Sequence, residues 1–371
     1  MRTDLIGIIF SSIGESFVRE LTEIRCMGSV PIGGRYRMID FTLSNMVNSG
    51  ISKVGITTRA NYRSLMDHLG SGKPWDLSRK KGGIYFFPPY INQMGGSNST
   101  RIMGLASLLP FLEHSTEEYV ILSDCDYIAN INIEKMAESH ISGSADITIA
   151  YAESRLPRAG GERMVFGFDK NNRINEILID PDTTENCNVS LNLIMMKRAL
   201  LVDIVKDAMS RNYTSLNRDV FQRRLFDLKI CGWKFCGYSR IVDSMKKYLS
   251  VNMELFDRDI RRDLFKPESP IYTKICDEMP AKYGVNSYVK NSLVADGCVI
   301  EGEVENCVLF RGVKISKGAK VSNCVVMQGS EIAADADVSY VIIDKDARIT
   351  NGRVLAGFES YPAFISKGSE V

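Results

Sequence analysis

Short apolar runs alternate with longer amphipathic ones through the first two thirds of this chain. Leu5 to Phe10, Lys53 to Thr57, Tyr119 to Ser123 and Ile147 to Ala152 have the length and composition of buried strands. Between them, Phe41 to Ser49, Arg63 to Leu69, Thr100 to Glu113 and Ile133 to Ser142 read as helices, the last with apolar residues at helical spacing. The rhythm predicts an α/β domain over residues 1–255: a mostly parallel sheet with helices on both faces and ligand sites at the carboxyl ends of its strands. Residues 256–285 combine Lys-Pro and Ser-Pro breaks with a charged helical stretch and read as a connector.

From 286 to 371 the period changes. Ile315 and Val321, then Val326, Ile332 and Val338, then Ile343, Ile349 and Leu355 recur six residues apart, with one-residue slips between groups and small residues clustered between. This pattern predicts a parallel β-helix whose coils stack their inward side chains, against the alternative of antiparallel strands with regular turns. Such helices also occur in acyltransferases that use a histidine base, yet no histidine follows His140, so packing, assembly or effector binding is the role expected here.

Composition narrows the function classes. Forty-six basic against 45 acidic residues give no whole-chain electrostatic support for a nucleic-acid or membrane-surface partner. The apolar stretch near the N-terminus is too short for a signal or a membrane span, which makes a cytoplasmic location the expectation. Nine cysteines without a CxxC pair, and with no nearby histidine for Cys231 and Cys236, read as reduced thiols rather than a zinc site.

The candidate chemistry begins at Ser11-Ser12-Ile13-Gly14-Glu15-Ser16-Phe17, after the first strand. A strand-to-helix turn holds phosphate when glycines let backbone N–H groups converge, and this one has a single glycine. Glu15 adds a carboxylate where phosphate would lie, a repulsion on the order of 4 kcal/mol at about 4 Å with an effective dielectric near 20.

PIGGRYRMIDFTLSNMVNSGI (residues 31–51), NYRSLMDHLGSGKPWDL followed by GGIYFFPP, YVILS and VIIDKDARITNGRVLAG together resemble the bacterial glucose-1-phosphate adenylyltransferase (ADP-glucose pyrophosphorylase) family over essentially the whole chain. The resemblance implies a nucleotidyltransferase domain joined to a left-handed β-helix, and an enzyme that makes ADP-glucose from ATP and glucose 1-phosphate for glycogen synthesis.

The departures from the family pattern fall on its chemistry. Aligned with the family's motifs, Phe17 stands for the phosphate-binding arginine of the first loop, and Met27, in Arg25-Cys26-Met27-Gly28, for the lysine of RAKP. Cys125 and Ile241 stand for the two aspartates that hold Mg²⁺, and a thiol is a poor ligand for that hard cation. Asp180 stands for the sugar-phosphate lysine, where an acid should repel glucose 1-phosphate. Ser190 is kept, Asn192 replaces a glycine that allows close sugar approach, and both are possible sugar-phosphate contacts. A shifted metal site built from Asp124, Asp126 and Asp243 remains open, with Asp243 on the face of Ile241 if that stretch is a strand. Mg²⁺ is then expected only with residual activity. Arg35 aligns with a basic position the resemblance links to sugar-phosphate activators, and Arg37 lies on the same face; pairing of both with acids across a domain interface is the alternative.

The pattern is closest to the non-catalytic, GlgD-type regulatory subunit of the family. That implies a heterotetramer with a catalytic paralogue, or homodimers and homotetramers when the chain is alone. An active adenylyltransferase with shifted ligands and a stand-alone sugar-phosphate or nucleotide sensor are the competing readings.

Overall fold

The computed structural model describes residues 4–59, 61–88, 100–156, 161–170 and 173–371. Residues 1–3 and the last proline of GGIYFFPP, residue 89, lie outside the described residues. Strands β1 (Leu5–Phe10), β2 (Lys53–Thr57), β3 (Gly83–Phe87) and β4 (Tyr119–Asp124) form a parallel block in the order β3-β2-β1-β4. Strands β5 (Ile147–Arg155), β6 (Met164–Phe168), β7 (Ile174–Ile179), β8 (Asn186–Lys197) and β9 (Ile230–Lys234) extend it. The long β8 pairs antiparallel with β4, with β5 and at Val189 with β6, while β9 runs parallel to β5 and β7 antiparallel to β6.

Side chains alternate across a strand, so β1 feeds two cores: Leu5 and Ile9 enter one, Ile6, Ile8 and Phe10 the other. Helices α1 (Met38–Asn48), α2 (Arg63–Leu69) and α5 (Ile133–Ser142) cover the first core; α3 (Arg101–Ser107), α4 (Leu109–Glu113) and α6 (Arg198–Ser210) cover the second. The segment expected as one helix over Thr100 to Glu113 is two. Pro110 lacks an amide hydrogen and its ring crowds the preceding turn, so a new helix starts at Leu109. Helix α1 begins three residues ahead of Phe41 because Asp40 accepts a 3.0 Å bond from the Arg37 N–H and caps it.

The last third is a parallel β-helix of three sheets. Its first strand, Lys282–Tyr283, lies inside the segment read as a connector, whose charged helix is α8 (Arg258–Leu264). Lys314 pairs with Glu331 and Glu331 with Arg348, seventeen residues apart each time, so inward positions step by six, six and five. The five-residue step is the slip visible in the sequence. One corner needs a left-handed backbone in successive coils, at Asn306, Asn323 and Tyr340, and asparagine tolerates that region better than most residues. Cys298, Cys307 and Cys324 are buried and free.

A third core joins the two domains. Met27, Met38, Phe41 and Tyr248, the last on α7 (Met245–Glu254), pack with Val308, Phe310, Val325, Met327 and Ile342 of the coils. The GGRYR turn sits in this seam. Gly33 and Gly34 have φ of 62° and 83°, left-handed values that side chains adopt only with strain, and a Cβ on Gly33 would meet Leu255 Cδ1 at 3.0 Å. Both glycines are therefore needed to turn the hairpin against the β-helix.

Candidate functional site

The Ser11–Phe17 loop leaves the end of β1 beside the end of β4, as the parallel order requires. Its first N–H, that of Ser11, is not offered to a ligand, because the Ser11 N–H and hydroxyl both bond the Thr57 carbonyl, at 3.2 and 2.8 Å. Gly14 has φ 88°, and a Cβ there would meet that of Asp126 at 3.1 Å. Glu15 is half-buried, burial raises its carboxyl pKa, and Arg59 lies 3.8 Å away. Phe17 is partly buried in the turn that follows. Met27 points away from the cleft into the interdomain core.

Ungapped alignment places Cys125 at a metal-binding aspartate, but it is Asp126 that faces the loop. Cys125 turns into the first core, where burial pushes its thiol pKa well up, and Ile241 packs in the same core. A displacement by one residue moves a side chain to the opposite face, and here it separates an inert thiol from a carboxylate at the cleft.

Arginines answer both carboxylates at this end of the sheet. Arg101, in the first turn of α3, donates from Nε and Nη2 to the two oxygens of Asp124 at 3.1 and 2.5 Å, and the Asn192 amide adds a bond of 2.8 Å. Arg163 pairs with Asp126, and both are buried. Asn192 stands at φ 52° in a bulge of β8, its N–H bonded to Ser190 Oγ at 2.9 Å. The position thus demands a left-handed residue, which explains glycine or asparagine there. The asparagine side chain is spent on Asp124, and Ser190 on Asn192.

The Asp180 carboxylate faces the backbone just ahead of β6. Both its oxygens accept backbone N–H groups, from Glu162 and Arg163 at 2.9 Å each. Asp180 and Glu162 have φ of 47° and 55°, a left-handed backbone that costs roughly 1–2 kcal/mol per residue and is held by those bonds. Asp243 is not on the strand of Ile241: the strand Ser239–Ile241 ends there, and Asp243 accepts from Ser244 Oγ at 3.1 Å ahead of α7. Among the described residues no three His, Cys, Asp or Glu side chains gather as a metal site. With Asp124 and Asp126 held by guanidinium groups, the donors present do not fit an octahedral Mg²⁺.

The seam holds a second polar site. A cavity of about 150 Å³ is lined by Arg35, Arg37, Lys274, Arg311 and Lys345, with His68 at its wall. Arg35 is half-exposed and reaches Asp296 of the β-helix at 3.5 Å. Arg37 instead donates to the Ser64 carbonyl at 2.6 Å and its hydroxyl at 3.0 Å. Pairing with an acid across the interface therefore describes Arg35 alone, although both arginines line the cavity. Burial, reinforced by Arg37 and Arg25, lowers the Lys345 pKa to about 7. Sequence reasoning missed Lys274, Arg311 and Lys345, because they come from the connector and from two different coils.

Two family models match the chain: nucleotidyl transferase over residues 18–218 and the GlmU-like C-terminal hexapeptide over 278–360. The glycogen biosynthesis protein GlgD of Bacillus subtilis is 38% identical over 365 residues, covering 98% of this chain and 96% of that protein. The GlgD protein of Geobacillus stearothermophilus is 37% identical over 86% of this chain and 84% of its own length. The glucose-1-phosphate adenylyltransferase of Clostridium acetobutylicum is 34% identical over 85% of this chain and 84% of its length. No helix among the described residues is long and apolar enough to cross a membrane. With its nucleotidyltransferase sheet, its hexapeptide coils and this likeness along almost its full length, the chain belongs to the glucose-1-phosphate adenylyltransferase and GlgD family of glycogen biosynthesis.

Proposed function

We propose that this chain is a regulatory, catalytically deficient subunit of glucose-1-phosphate adenylyltransferase, acting in the cytoplasm in a heterotetramer with a catalytic paralogue. One observation carries the reading: the carboxylates at the end of β4 that could bind Mg²⁺ are engaged by Arg101 and Arg163, and a side chain in the core, Ile241, stands where the second ligand aligns. Nucleotidyl transfer rests on positioning and charge stabilisation by metal and cations, so these losses, with Phe17 and Met27 in place of two cations, would remove several orders of magnitude in rate. The cationic seam around Arg35 and Arg37 suits a phosphorylated sugar as effector, because guanidinium forks match phosphate oxygens.

The test assays this chain, the catalytic paralogue and their mixture for ADP-glucose formation with Mg²⁺ across effector concentrations, with sizing of the mixture. The chain alone should show little or no turnover, and the mixture a changed rate, affinity or effector response in a complex. Turnover by the isolated chain within tenfold of an ordinary family member would sink the proposal. So would a mixture identical to the paralogue with no complex on sizing.

A further inference from the structure

The Glu162–Arg163 segment, just ahead of β6, is fastened over the cleft from three places. The Asp180 carboxylate accepts both of its backbone N–H groups, and the Asp180 N–H donates to the Arg163 carbonyl at 3.0 Å. The Ser215 hydroxyl donates to Glu162 Oε2, and the Asn217 amide to the Glu162 carbonyl, each at 2.7 Å. So held, Arg163 reaches past the strand end to Asp126, beneath Gly14. Among the described residues Arg163 Nη1, Asp126 Oδ1 and Asn217 Oδ1 have no hydrogen-bond partner although their residues are buried. The pair therefore sits in a buried polar site whose hydrogen-bonding groups are not all answered by the described residues.

We propose that the Glu162–Arg163 segment is a built-in plug: the Arg163 guanidinium takes the place on Asp126 of a substrate-borne divalent cation, and Asp180 is the positioning residue that holds it there. The inference rests on the reading of the chain as catalytically deficient and supplies its physical cause in the cleft. Two features that look unrelated in the sequence, an acid at a sugar-phosphate position and an arginine seventeen residues before it, become one device.

The test is carbodiimide-driven coupling of glycine ethyl ester to carboxylates of the full chain, read by peptide mass spectrometry. In the wild type, Asp126 should react at least tenfold more slowly than the exposed Asp259. Arg163→Met keeps the bulk and removes the charge; Asp180→Asn keeps a residue that tolerates the left-handed backbone. Each should speed labelling of Asp126 about tenfold, while the buried Asp40 and Asp344 stay protected and so report an intact fold. Mn²⁺ at millimolar concentration should slow Asp126 labelling in Arg163→Met and leave the wild type unchanged. Should either variant unfold, amide exchange on the wild type decides: the Glu162 and Arg163 N–H groups should exchange at least a thousandfold more slowly than an open chain. Wild-type labelling of Asp126 at the rate of Asp259, folded variants as protected as the wild type, no Mn²⁺ protection in folded Arg163→Met, or open-chain exchange at the plug each overturn the proposal. ADP-glucose formation by the wild type would defeat the proposed function instead, whatever the labelling shows.

Discussion

Removing the Arg25 side-chain charge should loosen the seam between the two domains. Arg25 Nη2 lies 2.8 and 2.9 Å from the two Asp344 oxygens, and the side chains are 3% and 2% exposed. Arg25→Met keeps most of the stem's packing and strands Asp344 in the interior, where the Lys345 N–H still donates to it at 2.7 Å. Breaking a buried ion pair from one side costs about 3–5 kcal/mol, because the surviving charge stays desolvated. Lys345 moderates that figure. Its ammonium is discouraged by burial and by Arg37 and Arg25, so losing Arg25 lets it charge and partly answer Asp344. The expected loss is therefore near the lower bound, about 3 kcal/mol. Arg25→Met with Asp344→Leu removes both charges and should recover to within about 1 kcal/mol of the wild type. Urea unfolding followed by tryptophan fluorescence and far-ultraviolet circular dichroism measures all four members of the cycle. Because the pair spans the domains, the single variant should also separate transitions that coincide in the wild type. A single variant within 1 kcal/mol of the wild type, or a double variant as unstable as the single one, would refute the reasoning.

Two further outcomes are expected. The unfolded chain keeps the Lys345 proton up to about pH 10.5, whereas the folded chain releases it near 7, so between those values the unfolded state binds more protons and this residue makes stability rise with pH. Lys345→Met should accordingly stabilise the protein most at pH 6, with the gain fading toward pH 10; a gain that grows with pH would contradict the assignment. At the β-helix corner, Asn323→Ala should cost about 1 kcal/mol and Asn323→Gly a few tenths at most, since the backbone there has φ 53°. Thermal melting of the two variants side by side is the check, and equal stability would show that the corner carries no left-handed strain.

Much of the architecture was legible because its signals are local. The runs at Leu5, Lys53, Tyr119 and Ile147 became strands, and the slipping six-residue period became a seventeen-residue coil, because burial on a strand or coil repeats at fixed short intervals. The break at Pro110 was equally present in the sequence as a missing amide hydrogen, and was outweighed in reading by the apolar run around it. Arg35 and Arg37 were legible as positive charge beside the turn, whereas the cavity they share with Arg311 and Lys345 was not. Which of Cys125 and Asp126 faces the loop was legible only to within one residue. That uncertainty is enough to exchange Cys125 for Asp126, since adjacent side chains near a strand end face opposite ways.

By itself, then, the sequence determined the two-domain architecture, the single-glycine loop and the apolar side chains at Phe17 and Met27. Only the tertiary structure decided what the remaining charges do. Arg101 meets Asp124 across 23 residues, Arg163 meets Asp126 across 37 and Arg25 meets Asp344 across 319. An ion pair depends on where a chain returns to and leaves no periodicity behind, whereas desolvation makes such pairs the condition on which buried charges are kept.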